Sequence, residues 1–257
     1  MQSDPLFYRF FKDLPGTFFQ LIDRPEEDAQ LYEMKAIEYK STSVRLDGVF
    51  SPRQPAAGPA YLWEAQFYLS NSFYANLLTK IGRFLEHGDP AQEWKAVVIY
   101  PSRSLEQKNL SPYRCLLDSD QLIRIYLDEL PAAKPDQFEM GILELIAARP
   151  EGALQKAKAM VPRVLASKRP AQFRRLLLQF IETVIVHQFP KWSRKDVEKM
   201  LQVTDFRQTR VYQEAREEER DSIALRMLEA GRPVAEIAQM TGLSQVQVRK
   251  LAKKSKE

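Results

Sequence analysis

Val44-Arg45-Leu46-Asp47-Gly48-Val49-Phe50 and Ala60-Tyr61-Leu62-Trp63-Glu64-Ala65-Gln66-Phe67-Tyr68 decide the fold. Both stretches read as strands, since valine and aromatic residues suit a pleated surface. Ser51 to Pro59 between them holds three prolines and a glycine and reads as a loop. Side chains alternate along a strand, so Leu62, Glu64, Gln66 and Tyr68 share one face and Tyr61, Trp63, Ala65 and Phe67 the other. Glu64 and Gln66 then stand about 7 Å apart. Asp47 is a lone acid in an apolar run. Paired in register, the two strands bring Asp47 and Glu64 together as a dicarboxylate. Such a donor set suits a hard cation, Mg²⁺ or in its place Mn²⁺, with waters completing the coordination. The alternative is a pair of solvated surface acids, because D…ExQ spacing alone is a weak signal.

The context around this pair narrows the choice. Phe73, Leu77, Ile81 and Phe84 make an apolar stripe on a helix within Asn71–His87, wide enough to cover a sheet. Lys80 and Arg83 fall on its polar side, as phosphate contacts or as solvated residues. Trp94-Lys95-Ala96-Val97-Val98-Ile99-Tyr100 then reads as a buried strand stopped by Pro101.

Asp4-Pro5-Leu6-Phe7-Tyr8-Arg9-Phe10-Phe11, Ile37-Glu38-Tyr39-Lys40, Arg45 to Phe50, Glu64-Ala65-Gln66-Phe67 and Ala96-Val97-Val98-Ile99-Tyr100-Pro101-Ser102, taken together over residues 1–215, resemble the recombination-promoting nuclease / putative transposase family, especially its cyanobacterial-type branch. That family belongs to the PD-(D/E)XK nuclease superfamily. The resemblance implies an α/β restriction-endonuclease-like core, a mixed sheet flanked by helices, with the acids on the first two strands of a strand–strand–helix–strand order. It implies metal-dependent DNA cleavage and a role in recombination or mobile-element biology. Asp47 and Glu64 become the metal ligands and catalytic acids, and Gln66 the group that positions the attacking water. The superfamily's usual lysine is glutamine here, Gln66. Some nucleases of this superfamily add an acid from the preceding element, which makes Glu38 a candidate, with plain solvent exposure as its alternative.

Elsewhere the chain is less specific. Leu6, Phe7, Phe10, Phe11, Leu14, Phe18, Phe19 and Ile22 fit a helical face interrupted near Pro15-Gly16. Pro25 followed by Glu26, Glu27 and Asp28 reads as a helix start. Tyr32 to Lys40 leans towards a strand. Tyr113 to Leu127 suggests one or two short strands with Cys115 in the core. Pro131 to Pro135 reads as a loop or linker. Residues 137–149, 151–166, 170–188 and 193–202 then look like successive helices, with the Leu176-Leu177-Leu178 run deeply buried and His187 structural. Val211 to Ala230 reads as one long helix ended by Gly231 and Pro233. The division expected is a nuclease-like core over 1–130, a basic helical region over 131–210, and a long helix with a tail over 211–257.

In the tail, Ala238, Gly242 and Ser244 have helix-turn-helix spacing: a small residue where helices approach, a glycine for the turn, a cap for the second helix. Ile237, Leu243, Val248 and Leu251 supply a small core. Gln245, Gln247, Arg249 and Lys250 then lie on or near a recognition helix, where Gln and Arg reach base edges, and Lys253 and Lys254 add charge. A packing or dimerisation tail with the same core is the competing reading.

Composition sets the outer bounds. In 257 residues there are one cysteine and two histidines, which removes an intrachain disulfide and argues against a zinc-type cluster. No apolar run is long enough to span a bilayer, and Met1-Gln2-Ser3-Asp4-Pro5 lacks a signal-peptide pattern, so a cytoplasmic location with no membrane partner is expected. Residues 1–150 carry 16 Lys+Arg against 21 Asp+Glu, whereas 151–210 carry 13 against 5. An acidic catalytic portion followed by a basic arm suits a metal enzyme acting on a polyanion. DNA is the expected partner; self-association into a homodimer stays open. Two other readings remain: a non-catalytic DNA-binding regulator or accessory protein on a decayed nuclease fold, and a protein-interaction scaffold without salt-sensitive DNA binding.

Overall fold

The computed structural model describes residues 4–35, 38–39, 44–87, 92–192, 194–201, 220–221, 223–228 and 230–254. The chain forms two compact units, Met1–Arg149 and Pro150–Glu257. The first takes in the helix α5 (Phe138–Ala147).

The first unit is built on a five-stranded mixed sheet. Its strands are β1 (Tyr32–Lys35), β4 (Gly48–Pro52), β5 (Ala60–Ala65), β6 (Trp94–Tyr100) and β7 (Leu122–Tyr126), in that spatial order. β1, β4 and β5 run antiparallel to their neighbours, whereas β5, β6 and β7 are parallel. A separate two-stranded piece pairs β2 (Glu38–Tyr39) with β3 (Val44–Arg45). The first expected strand is thus broken: Leu46 and Asp47 lie between β3 and β4, and Asp47 sits in a bend.

All six residues of β5 are buried. The sheet is covered on both faces, which the alternating pattern of β5 does not announce. On one face lies α3 (Phe73–His87), whose Phe73, Tyr74, Leu77 and Ile81 pack with Leu62, Ala96, Val98 and Tyr100. On the other, α1 (Asp4–Asp13) and α2 (Pro15–Leu21) contribute phenylalanines. Phe11 meets the Trp63 ring edge-on at 5.1 Å and Phe18 lies 4.5 Å from Phe50. Pro15 divides the two helices because it has no N–H to continue α1, yet it fits the first position of α2. The acids after Pro25 start a 3-10 helix, Glu26–Leu31, rather than an α-helix.

Arg114–Leu117 forms a short helix, α4, where a strand was one expectation, and Cys115 is exposed on it rather than in the core. Pro112 lies in the 3-10 turn Ser111–Tyr113 that leads into this helix, and its fixed φ favours that turn.

Past β6, Glu106 ties the loop to the sheet. Its carboxylate accepts hydrogen bonds from Tyr74 Oη (2.6 Å), Tyr126 Oη (2.8 Å) and Arg124 Nη1 (3.1 Å). Burial alone would push this carboxyl up, but the three donors together outweigh it and hold Glu106 below the ordinary value. A depressed carboxylate stabilises the fold above its unfolded value near 4.5 and loses that contribution as pH falls through the folded one. Glu106→Gln should therefore unfold more easily than wild type by about 1–2 kcal/mol at pH 7. Denaturant melts repeated down to pH 3 should show that gap closing below about pH 4.5; a gap constant with pH would contradict the assignment.

In the second unit, α6 (Pro150–Ala166) packs on α7 (Ala171–Gln188). Ala153, Ala157, Val161 and Val164 make the buried stripe of α6 at helical spacing. On α7, Leu177 and Leu178 of the leucine run are buried while Leu176 is half-buried, and His187 is exposed. The helix α8 (Arg194–Met200) follows. Of the helix expected over Val211 to Ala230, residues 211–219 lie outside the described residues, and 223–228 are helical. Gly231 ends that helix in the left-handed region at φ 72°. Two helices follow, Val234–Thr241 and Gln245–Lys254. Gly242, at φ 71°, makes the turn between them. Ala224, Ile237, Leu243 and Val248 form their small core, with Ala238 and Leu251 packed against it.

Candidate functional site

The register decides the site. Gly48 pairs with Trp63, so the bend at Asp47 falls beside Glu64. Asp47 N donates to Glu64 Oε1 at 3.2 Å, and Asp47 Oδ2 accepts from Ala65 N at 2.8 Å. The two acids expected to converge do so. Gly48 makes the approach feasible by leaving room: a Cβ there would come 2.6 Å from the Trp63 indole. The Trp63 Nε1–H is buried and has no hydrogen-bond partner among the described residues.

Glu64 is 6% exposed, on the sheet face that α3 covers. A third group meets it there. Lys80 Nζ lies 2.6 Å from Glu64 Oε2, with its own side chain 21% exposed. Burial raises the Glu64 carboxyl well above the usual range, to about 8, and the neighbouring charge of Asp47 adds to this. The Lys80 ammonium and its hydrogen bond pull the other way without cancelling burial.

By sequence alone Lys80 falls on the polar side of α3. It stands three residues after Leu77 and four before Phe84, so a helix places it on the flank of the buried stripe. That spacing is the signal that could have found it. Arg83 instead pairs with Glu86 at 2.5 Å near the surface.

Gln66 stands just past the end of β5. Its N–H continues the ladder to Ile99 O at 2.8 Å, and its side-chain Nε2 donates to Tyr68 O. Its amide nitrogen therefore holds the loop that carries the exposed Tyr68 and Leu69. Glu38 is placed by its backbone in β2, opposite Arg45; its side chain lies outside the described residues. No group of three or more His, Cys, Asp and Glu side chains that could hold a metal occurs among the described residues.

In the tail, Gln245, Gln247, Arg249 and Lys250 are exposed. The side chains of Lys253 and Lys254 lie outside the described residues. Ser244 caps the last helix: Gln247 N donates to Ser244 Oγ at 3.3 Å, and Gln247 Oε1 accepts from Ser244 N at 2.9 Å and from its hydroxyl at 2.8 Å. This reciprocal capping box occupies the carbonyl end of the Gln247 amide.

The fold and the site define a mixed α/β protein whose five-stranded mixed sheet, flanked by helices, carries a buried glutamate, Glu64, beside the half-buried Asp47 and a lysine. The chain belongs to the family described as "Protein of unknown function (DUF2887)", which matches it over residues 3–201. No curated protein and no solved structure matches it. Among the described residues no helix is long and apolar enough to cross a membrane.

Proposed function

We propose that this chain is a Mg²⁺-dependent DNA endonuclease with a PD-(D/E)XK-like core and a helix-turn-helix tail. The observation that carries the reading is the meeting of Asp47, Glu64 and Lys80 at one place on the sheet. The strand order supports it: β4 antiparallel to β5, then α3, then β6 parallel to β5.

The acid pair fits the cation. Mg²⁺ is commonly held by one or two carboxylates and keeps several waters, so Asp47 and Glu64 suffice without a third acid, and Mn²⁺ accepts the same oxygens. When bound, the cation supplies the Lewis acidity that lowers the pKa of a water and offsets charge on the scissile phosphate. The chain's own residues do the rest. Asp47 is oriented by the Ala65 N–H, and Glu64 by the Asp47 N–H, so both side chains are held before a substrate arrives, and the charge of a bound cation would favour the ionised Glu64 that burial disfavours. Lys80 brings a positive charge and proton donors to Glu64 Oε2, and that charge would help offset the charge of a phosphate bound at the pair. In this reading α3 provides the charge that position 66 lacks, and Gln66 secures the neighbouring loop.

The reading has a swap test. Lys80→Ala should lower single-turnover cleavage of a plasmid by about 10²-fold, the scale of one positioned electrostatic donor, with DNA affinity retained. Adding Gln66→Lys to that variant should restore part of the rate, since glutamine and lysine have similar reach. Full activity of Lys80→Ala would remove Lys80 from the mechanism.

A further inference from the structure

The last helix, Gln245–Lys254, leaves a β-branched apolar side chain in solvent at its start: Val246 is 62% exposed. The small core does not need it. Val248 is fully buried and Leu251 packs against the core, and a residue two before Val248 lies about 200° around the helix from it. The outward face is Gln245 and Val246 in the first turn, then Arg249 and Lys250 one turn on, all exposed. Lys253 and Lys254 follow in the sequence. Residues 245–254 hold four basic residues and no acid, so this face complements a polyanion. Gln247 differs from its neighbours, because its amide carbonyl is held by Ser244 N and Oγ.

From this arrangement we infer that the tail reads adenine–thymine pairs in the DNA major groove, through Gln245 and Val246. The inference rests on the DNA-binding reading of the tail. Helices that follow such a turn present their N-terminal residues to base edges. A primary amide offers one donor and one acceptor, the complement of adenine N7 and N6–H. The valine methyls match the thymine C5-methyl, a contact that no other DNA base offers. Because Gln245 and Val246 are consecutive and outward, they reach the same or adjacent base pairs. Arg249, Lys250, Lys253 and Lys254 supply the phosphate contacts that hold the helix in register. Gln247 fixes the helix start and does not read a base.

The test uses the full chain in chelator, so that nothing is cut, and a pool of duplexes with a randomised centre. Selection should enrich a site containing A·T pairs. Replacing its thymines by deoxyuridine removes only the methyl groups. Wild-type affinity should then fall about fourfold for the one methyl buried under Val246. Val246→Ala should bind the thymine site more weakly than wild type and be indifferent to the replacement. Gln245→Arg should move the preference at one position from adenine to guanine. Both side chains are exposed, so neither change disturbs the core, and unchanged melting checks this. Binding without enrichment, or a wild type indifferent to deoxyuridine, overturns the inference and leaves general DNA binding standing. Absence of salt-sensitive binding overturns the tail reading as well. If Val246→Ala alters the sedimentation of the protein and not its DNA affinity, the face belongs to a second copy of the chain and the inference fails.

Discussion

Asp47→Asn and Glu64→Gln should each lower Mg²⁺-dependent cleavage by about 10³-fold or more while DNA binding and melting temperature change little. Either substitution keeps the shape but removes one carboxylate from a set of two, and in Glu64→Gln one of two acceptor oxygens becomes a donor nitrogen. Mg²⁺ depends on charged oxygen ligands, and a single remaining carboxylate holds it poorly. The asparagine can still accept the Ala65 N–H, and the glutamine can still accept the Asp47 N–H, so the register of β4 on β5 survives. The two variants differ in one respect. Glu64→Gln leaves Lys80 beside a neutral amide, whereas Asp47→Asn leaves the Glu64–Lys80 pair intact. Single-turnover rates with a labelled duplex, together with filter binding in chelator, separate chemistry from affinity. Either variant cutting at the wild-type rate would remove the acid pair from the mechanism.

Gly48→Ala should lower stability by about 3 kcal/mol, the upper part of the range for overpacking a core. The added Cβ would lie 2.6 Å from three atoms of the Trp63 indole. That ring is fully buried, and Phe11 packs on it from the α1 side, so it has little room to withdraw. The requirement at residue 48 is space rather than an unusual backbone angle, since its φ is not among the positive ones. Relief has to come from moving β4 against β5, which also carries Asp47 away from Glu64. Activity should therefore fall with stability. Calorimetry should show a loss on the order of 10 °C, and a melting point within about 1 °C of wild type would mean that the Trp63 ring yields easily.

The residues that were legible in the sequence are those whose neighbours along the chain determine them. Asp47 stood out as a single acid among apolar residues, and in-register pairing was enough to bring it to Glu64. The break at Pro15, the stripe of α3 and the spacing of Ala238, Gly242 and Ser244 follow from local geometry in the same way. Lys80 was not legible as a partner of Glu64, because a lysine next to Arg83 on a helix reads as solvated unless the neighbouring strand carries a buried acid. The role of Gln66 depended on where β5 ends, and a strand end is set by its partners: the Tyr68 carbonyl turns back where the strand reading continued. Burial of both sheet faces needed the α1 and α2 phenylalanines placed against Trp63, Tyr61 and Phe50, a long-range outcome. Gln247 was readable. Ser244-x-x-Gln247 is a capping-box signature, and it explains why that glutamine faces its own helix start.

Incubation of the full wild-type chain with supercoiled plasmid, in Mg²⁺ and in chelator, tests the central claim most directly. The expected result is nicking and then linearisation that needs the divalent ion and disappears in Asp47→Asn. Plasmid that is bound in a salt-sensitive way but stays supercoiled in both Mg²⁺ and Mn²⁺ would contradict it, and would leave a DNA-binding protein without cleavage activity.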